Sequence, residues 1–309
     1  MNTFRGSELH IEIGKNDLPI RELTPFDKEF PDRLRYIPNP PKVLYLRGAL
    51  PPDDMPTVAI IGARACTDYG RNVARSFGRI LSKNGVAIIS GLAYGIDSEG
   101  QAGAVDAAGK TYAVIGSGVN ICYPAKNFPI YEKLLSLGGG VISEYPENYP
   151  PLRENFVQRN RLISGLSDIV LVIEAREKSG TGITVSYALD QGKQVFALPG
   201  RITDQLSAGC NRLIRDGAEI LTSPEDVLAA LHLKHAGECT IQEKDTSVLS
   251  PKQKRVYEAL TDDAEHLDFL LDKTKLSVTE LTAILLELEI LGFSECTKTG
   301  FYRRKAFSE

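Results

Sequence analysis

The stretch "TVAIIGARACTDYGRNVARSFGRILSKNGVAIIS", Thr57 to Ser90, decides the fold. Its first and last segments are apolar without alternation, as expected of strands covered on both faces. Between them Val73, Phe77, Ile80 and Leu81 make one apolar stripe at helical spacing, with Thr67 as its N-cap and Gly85 at its end. Two buried strands joined by an amphipathic helix form a βαβ unit, the seed of a parallel sheet.

Working outward, the rhythm continues. "TYAVIG", "VISE", "DIVLVIEA" and "QVFALPG" are further strand candidates separated by helical stretches. The expected fold is α/β, a doubly wound, mostly parallel sheet with a C-terminal winged-helix domain. Ahead of the core lies a proline-rich, irregular lead-in with one strand around Val43 to Leu46. Behind it, a polar segment without period suits a linker. A compact unit follows. Ser250-Pro251 starts a helix, Ser277 and Glu280 form a capping box, and Leu281, Ile284, Leu285 and Leu288 share one helical face. A hairpin turning at Thr299-Gly300 closes the chain, so three helices and a hairpin resemble a winged helix. The expected boundaries are 1–53 for a lead-in packed on the core, 54–233 for the core, 234–249 for the linker and 250–309 for the winged helix.

Composition narrows the function. The 309 residues are 42% hydrophobic and 25% charged with a net charge of -4, so any nucleic acid must be held by a local basic patch on an acidic body. Five scattered cysteines without CxxC spacing suit a reducing cytosol and argue against a disulfide framework or a zinc site. The polar N-terminus does not read as a signal peptide, and no apolar run approaches the roughly 18 residues of a membrane span. A cytoplasmic protein without membrane contact is expected.

In an open α/β sheet, ligands bind beyond the carboxyl ends of the strands. The residues there are Gly62 and Arg64, then Ser90, Gly91 and Asp97. Gly116, Ser117, Gly118, Tyr123, Lys126 and Asn127 follow, and after Glu174 come Lys178, Ser179, Gly180 and Thr181. Glycines and hydroxyls at helix starts let backbone N–H groups approach an anion. Several such turns on one edge, with Arg64, Lys126, Arg159, Arg161 and Lys178 beside them, point to a phosphate site. No Walker loop is present, and no complete GxGxxG follows a strand with an acidic residue at the expected distance, which disfavours NTP hydrolysis and dinucleotide binding. All four histidines lie outside Thr57 to Ser223, so the edge offers no Ser-His or Cys-His pair and no metal triad; no cofactor is expected. Asp97, Glu144 and Glu174 are read as capping turns and neutralising arginines rather than as a general acid/base pair. Arg159 and Arg161 cannot point the same way on a helix, so one is expected to brace a carboxylate and the other to reach ligand.

These motifs, "IIGAR…YG", "SGLAYGID", "AVIGSGVNICYPAKN", "ISEYP", "FVQRNRLISGLSDIVLVIEA", "KSGTGIT", "ALPG" and "SAGCNRLIRDGA", resemble the DNA-processing protein A (DprA/Smf) family, in family order from about Phe30 to Leu231. The resemblance implies an extended Rossmann-like domain that forms homodimers, binds single-stranded DNA and loads the RecA recombinase during natural transformation or recombination, without catalytic turnover. Carried over by position, Arg64, Lys126, Arg159, Asn160, Arg161 and Lys178 would line the DNA groove. Gln101 stands where the family usually has a histidine, which costs a pocket side chain, and Lys126 lies one place later than in some relatives. Two other readings compete. One is a nucleotide N-glycosidase resembling the LOG phosphoribohydrolases, although Ser186 and Tyr187 stand where their glutamate should be. The other is a transcriptional regulator acting through the winged helix.

Overall fold

The computed structural model describes residues 11–12, 18–233, 246–261 and 263–305. Its centre is a nine-stranded sheet. In chain order the strands are β1 (Ile20–Leu23), β2 (Leu44–Gly48), β3 (Thr57–Ile61), β4 (Ala87–Ser90), β5 (Thr111–Val114), β6 (Gly140–Ser143), β7 (Ile169–Val172), β8 (Gln194–Ala197) and β9 (Glu219–Ile220). In space they run β9-β8-β7-β3-β4-β5-β6-β2-β1. From β9 to β6 every pairing is parallel; β2 and β1 add an antiparallel edge. Every residue of β3 to β7 is buried, which accounts for the unbroken apolar runs in the sequence.

From β3 the chain steps outward through β4, β5 and β6, then returns to place β7 on the other side of β3, with Ile61 opposite Val172. The switch point therefore lies between β3 and β7, and the loops at their carboxyl ends open the crevice where such sheets take ligands. The first crossover helix, α1 (Asp68–Lys83), begins at Thr67, whose hydroxyl accepts from Gly70 N at 3.0 Å, and buries Val73, Phe77, Ile80 and Leu81 as its period predicts. The helices that follow it in this unit are α2 (Ile96–Asp106), α3 (Phe128–Ser136), α4 (Arg153–Gln158), α5 (Asn160–Gly165), α6 (Gly180–Asp190), α7 (Ala208–Arg215) and α8 (Pro224–Ala230). The 18–53 segment is built into this body: Phe30, Leu34, Ile37, Leu44 and Leu46 lie in its core, and Arg33 pairs with Asp168 at 3.0 Å.

The chain divides into two units, Met1–Cys239 and Thr240–Glu309. The expected linker at 234–249 lies outside the described residues as far as 245; beyond them Thr246–Val248 makes a helical turn and Leu249 joins the second unit's core. That unit holds α9 (Pro251–Ala259), α10 (Leu267–Thr274) and α11 (Val278–Ile290) with a three-stranded antiparallel sheet. Capping boxes at Ser250/Gln253 and Ser277/Glu280 start two of the helices. Leu281, Ile284, Leu285 and Leu288 fill the core with Val256, Leu260, Leu270 and Phe293, so this is the winged helix the sequence suggested. Among the described residues no helix is long and apolar enough to cross a membrane.

Candidate nucleic-acid interface

The turn leaving β4 sets the geometry of the crevice. Leu92 is fully buried with φ at 52°, a conformation that disfavours a side-chain-bearing residue by about 1–2 kcal/mol. Its surroundings hold it there. Gln101 Oε1 accepts from Leu92 N at 3.1 Å, while its Nε2 donates to Tyr112 O at 3.2 Å and Thr111 Oγ1 at 3.3 Å. Asn127 Nδ2 donates to Leu92 O at 2.9 Å and to Ala93 O at 3.2 Å. Asn127 and Gln101, both buried, thus act as braces of a turn fixed from two directions. Gln101 is no lost crevice side chain; it stitches α2 to β5 and to this turn.

Arg159 and Arg161 are both buried, at 4% and 7% exposure. Arg161 is the bracing arginine: its guanidinium meets Glu144 with two parallel bonds of 2.5 and 2.6 Å and also donates to Asn39 O and Gln158 O. Arg159, at the junction of α4 and α5, turns the other way. It donates to the Gly91 and Val114 carbonyls and, through Nε, to Asn160 Oδ1 at 3.0 Å. A Cβ on Gly91 would meet both the Arg159 guanidinium and the Asp97 carboxylate, so a larger residue there would have to displace them. Asp97 accepts from Gly91 N at 3.1 Å. Burial pushes the Asp97 carboxyl above its ordinary value, with Arg159 opposing the shift. Burial likewise brings Arg159 down to about 10; Asp97 opposes, and the like charge of Arg64 adds to the fall. Two guanidiniums thus share one carboxylate, and a second anion would relieve the imbalance.

Arg64 is exposed and lies over the Phe156 ring, 5.6 Å from its centroid; Arg159 approaches the same ring at 5.9 Å. Tyr123 stacks on Phe156 at 5.5 Å between centroids. Asn155 Nδ2 holds Gly116 O at 2.9 Å, seating α4 against the loop after β5. The sequence reading placed Tyr123 on the edge and overlooked Phe156, whose signal is its position three residues before Arg159. Lys126 and Lys178 are exposed at the loops beyond β5 and β7. Just past Lys178, Ser179 precedes α6 without a side-chain cap, with Gly180 exposed and Thr181 buried. Gly62 packs between Ile96 and the Glu174 carbonyl, and Gly118 against the Pro146–Asn148 segment. Ser90 and Ser117 are buried and donate to Ile60 O and Ile121 O, so they shape turns.

The remaining edge carboxylate closes the switch point. Glu174, 5% exposed, accepts from Thr67 N at 2.9 Å and from the Thr67 hydroxyl, and its carboxyl fills the space a Cβ on Gly70 would need. The start of α1, where a dinucleotide fold would take a pyrophosphate, is therefore filled by the protein's own anion. Exposed cations remain at Arg64, at Lys126 and at Lys178, the last beside the uncapped start of α6. Among the described residues no group of three or more His, Cys, Asp or Glu could hold a metal ion.

This arrangement can be set beside known proteins. A family model described as DNA recombination-mediator protein A matches residues 21–232. The chain belongs to that family. A second model, the DprA winged helix domain, matches residues 242–295. Protein Smf of Synechocystis sp. is 36% identical, covering 92% of this chain and 80% of that protein. The DNA processing protein DprA of Streptococcus pneumoniae is 41% identical over 66% of this chain and 71% of its own length. The X-ray structure of the S. pneumoniae protein superposes with a TM-score of 0.62 at 37% identity, covering 70% of this chain and 75% of that one. DNA processing protein A of Helicobacter pylori, a structure that addresses a single-stranded DNA binding mode, gives 0.61 at 31% identity, covering 69% and 96%.

Proposed function

We propose that the chain is a homodimeric recombination mediator that binds single-stranded DNA and loads the RecA recombinase onto it. The observation that carries this reading is the stack of Arg64, Phe156 and Tyr123 on the carboxyl edge, beside a buried Arg159 whose charge Asp97 only partly balances. Phosphates suit Arg64, Lys126, Lys178 and the uncapped start of α6. A base needs an open π-face to stack on Phe156 or Tyr123, and only an unpaired strand offers one. The H. pylori relative, with its single-stranded DNA binding mode, supports the same partner. No catalytic step is assigned: Glu144 is held by Arg161, Glu174 by Thr67 and Asp97 by the Gly91 turn.

The test is binding to single- and double-stranded DNA across a salt series. Three exposed cations should give a slope of about -2 in log affinity against log salt, at roughly 0.7 per phosphate. Equal affinity for duplex, or none for either form, removes the reading. RecA loading is read separately, as RecA filament formation on a strand coated with single-strand-binding protein; no acceleration by the chain would reduce the proposal to DNA binding alone.

A further inference from the structure

The third helix of the winged-helix unit, α11, carries apolar residues on two faces, and the core uses only one. At 100° per residue, Leu281, Ile284, Leu285 and Leu288 point inward. Diametrically opposite lie Thr279, Ala283, Leu286 and Ile290, all exposed, with Leu286 at 57% and Ile290 at 77%. Their spacing of four, three and four is that of a helix–helix seam. α11 has no lysine or arginine, and Glu280, Glu287 and Glu289 border the outer face. A helix of this chemistry repels a phosphate backbone.

We propose that this face pairs with the same face of a second copy of the chain, the two α11 helices running antiparallel about a two-fold axis. Residue sizes select that partner. The N-terminal half of the seam is small, Thr279 and Ala283, and the C-terminal half is large, Leu286 and Ile290. A two-fold axis across the middle of the seam puts Ile290 opposite Thr279 and Leu286 opposite Ala283, twice over, so knobs meet hollows throughout. Isologous contacts demand this kind of self-complementarity. One helix face falls short of the roughly 800 Å² per partner of a standard interface, so the contact is weak alone and gains strength where chains already lie close together. Antiparallel pairing also brings Glu280 of one copy near Glu287 of the other, eased only in part by Lys252, whose Nζ lies 3.4 Å from Glu280. The association should therefore tighten as salt rises, opposite to DNA binding. The inference is independent of the DNA reading, since none of these residues belongs to the sheet edge.

The experiment is sedimentation velocity of the full chain over a concentration series at low and high salt. The expected result is a concentration-dependent association step, strengthened by salt and weakened at least about tenfold by Leu286→Ala, because every interface loses that side chain twice. The double variant Ala283→Leu/Leu286→Ala exchanges knob and hollow and should restore the step. Far-UV circular dichroism checks folding of each variant; the substituted positions are exposed, and the core face is untouched. The proposal is overturned by a wild-type chain with no such step, by a step indifferent to Leu286→Ala or weakened by salt, or by a double variant no better than the single one. Retention of duplex DNA that is lost with Leu286→Ala would overturn it as well, making α11 a DNA reader.

Discussion

Arg161→Ala should damage the fold, whereas Arg64→Ala should damage only DNA binding. The Arg161 guanidinium makes four hydrogen bonds, two to Glu144 and one each to the Asn39 and Gln158 carbonyls. Truncation leaves Glu144 facing an empty site. Breaking a buried pair by removing one partner costs about 3–5 kcal/mol. The Glu144 side chain keeps 18% of its exposure, so water can partly solvate the orphaned carboxylate and the lower end, about 3 kcal/mol, applies. For a unit of this size that is roughly 6–12 °C in Tm. Removing the charge from both partners in Arg161→Leu/Glu144→Leu should recover a good part of the loss. Arg64 is exposed and contributes a cation–π contact, so Arg64→Ala should stay within about 0.5 kcal/mol of wild type in stability. It should nevertheless weaken single-strand binding by about 1.5–3 kcal/mol, the worth of a charge-assisted bond. Thermal unfolding by circular dichroism and anisotropy of a labelled oligonucleotide read the two effects separately. An Arg161→Ala protein as stable as wild type but deficient in DNA binding would refute the use of burial to tell bracing arginines from phosphate-binding ones.

Four further outcomes are expected. Phe156→Ala should weaken single-strand binding by about 1–3 kcal/mol, while Phe156→Tyr, which keeps a ring, should restore most of it by the same anisotropy assay. Because the Asp97 pKa is raised from 3.8, the native chain holds a proton there at a pH where the unfolded chain has lost it. Stability should therefore fall as pH rises through the window just above 3.8, and the Tm advantage of wild type over Asp97→Asn should shrink along it; an advantage that grows would contradict the burial argument. Burial pushes the Cys122 and Cys210 thiols up to about 12, so at pH 8 iodoacetamide and mass spectrometry should find both unmodified while exposed Cys296 reacts. Ending the chain after Ser247 should leave a folded unit that binds single-stranded DNA, since the exposed cations and the aromatic stack all lie upstream; a soluble truncation that binds none would move the DNA site to the winged helix.

What could be read from the sequence follows from how far apart the contacting residues lie. β3, α1 and β4 were legible because local period and caps specify them within one stretch, and the edge rule then pointed to the loops beyond the carboxyl ends of the strands. β1 and β9 were not. Ile20–Leu23 is a four-residue strand of mixed polarity, and Glu219–Ile220 is a two-residue exposed edge, so neither leaves an apolar run to detect. The arginine pair was half legible: spacing requires the two side chains to diverge, and Glu144 takes one as expected. That Arg159 is buried too depends on the carbonyls of Gly91, in the turn after β4, and of Val114, at the end of β5. Gln101 read as a missing crevice group because its partners, Leu92, Thr111 and Tyr112, meet only in the folded sheet.

The second unit shows the same limit from the other side. The sequence of α11, "VTELTAILLELEI", is apolar at positions that cannot all face one core. Its period picks out Leu281, Ile284, Leu285 and Leu288 as one stripe, and the core takes those four. Only after that assignment do Leu286 and Ile290 stand out as residues whose exposure the unit's own folding does not require. A helix that existed only to complete this unit would carry polar residues there, as amphipathic helices of small domains do. Two large aliphatic side chains left on the unit's surface, in register with two small ones a half-helix away, are better explained by a contact outside the unit. Glutamates along the border, and the absence of any cation on the helix, make that contact one with protein rather than with DNA.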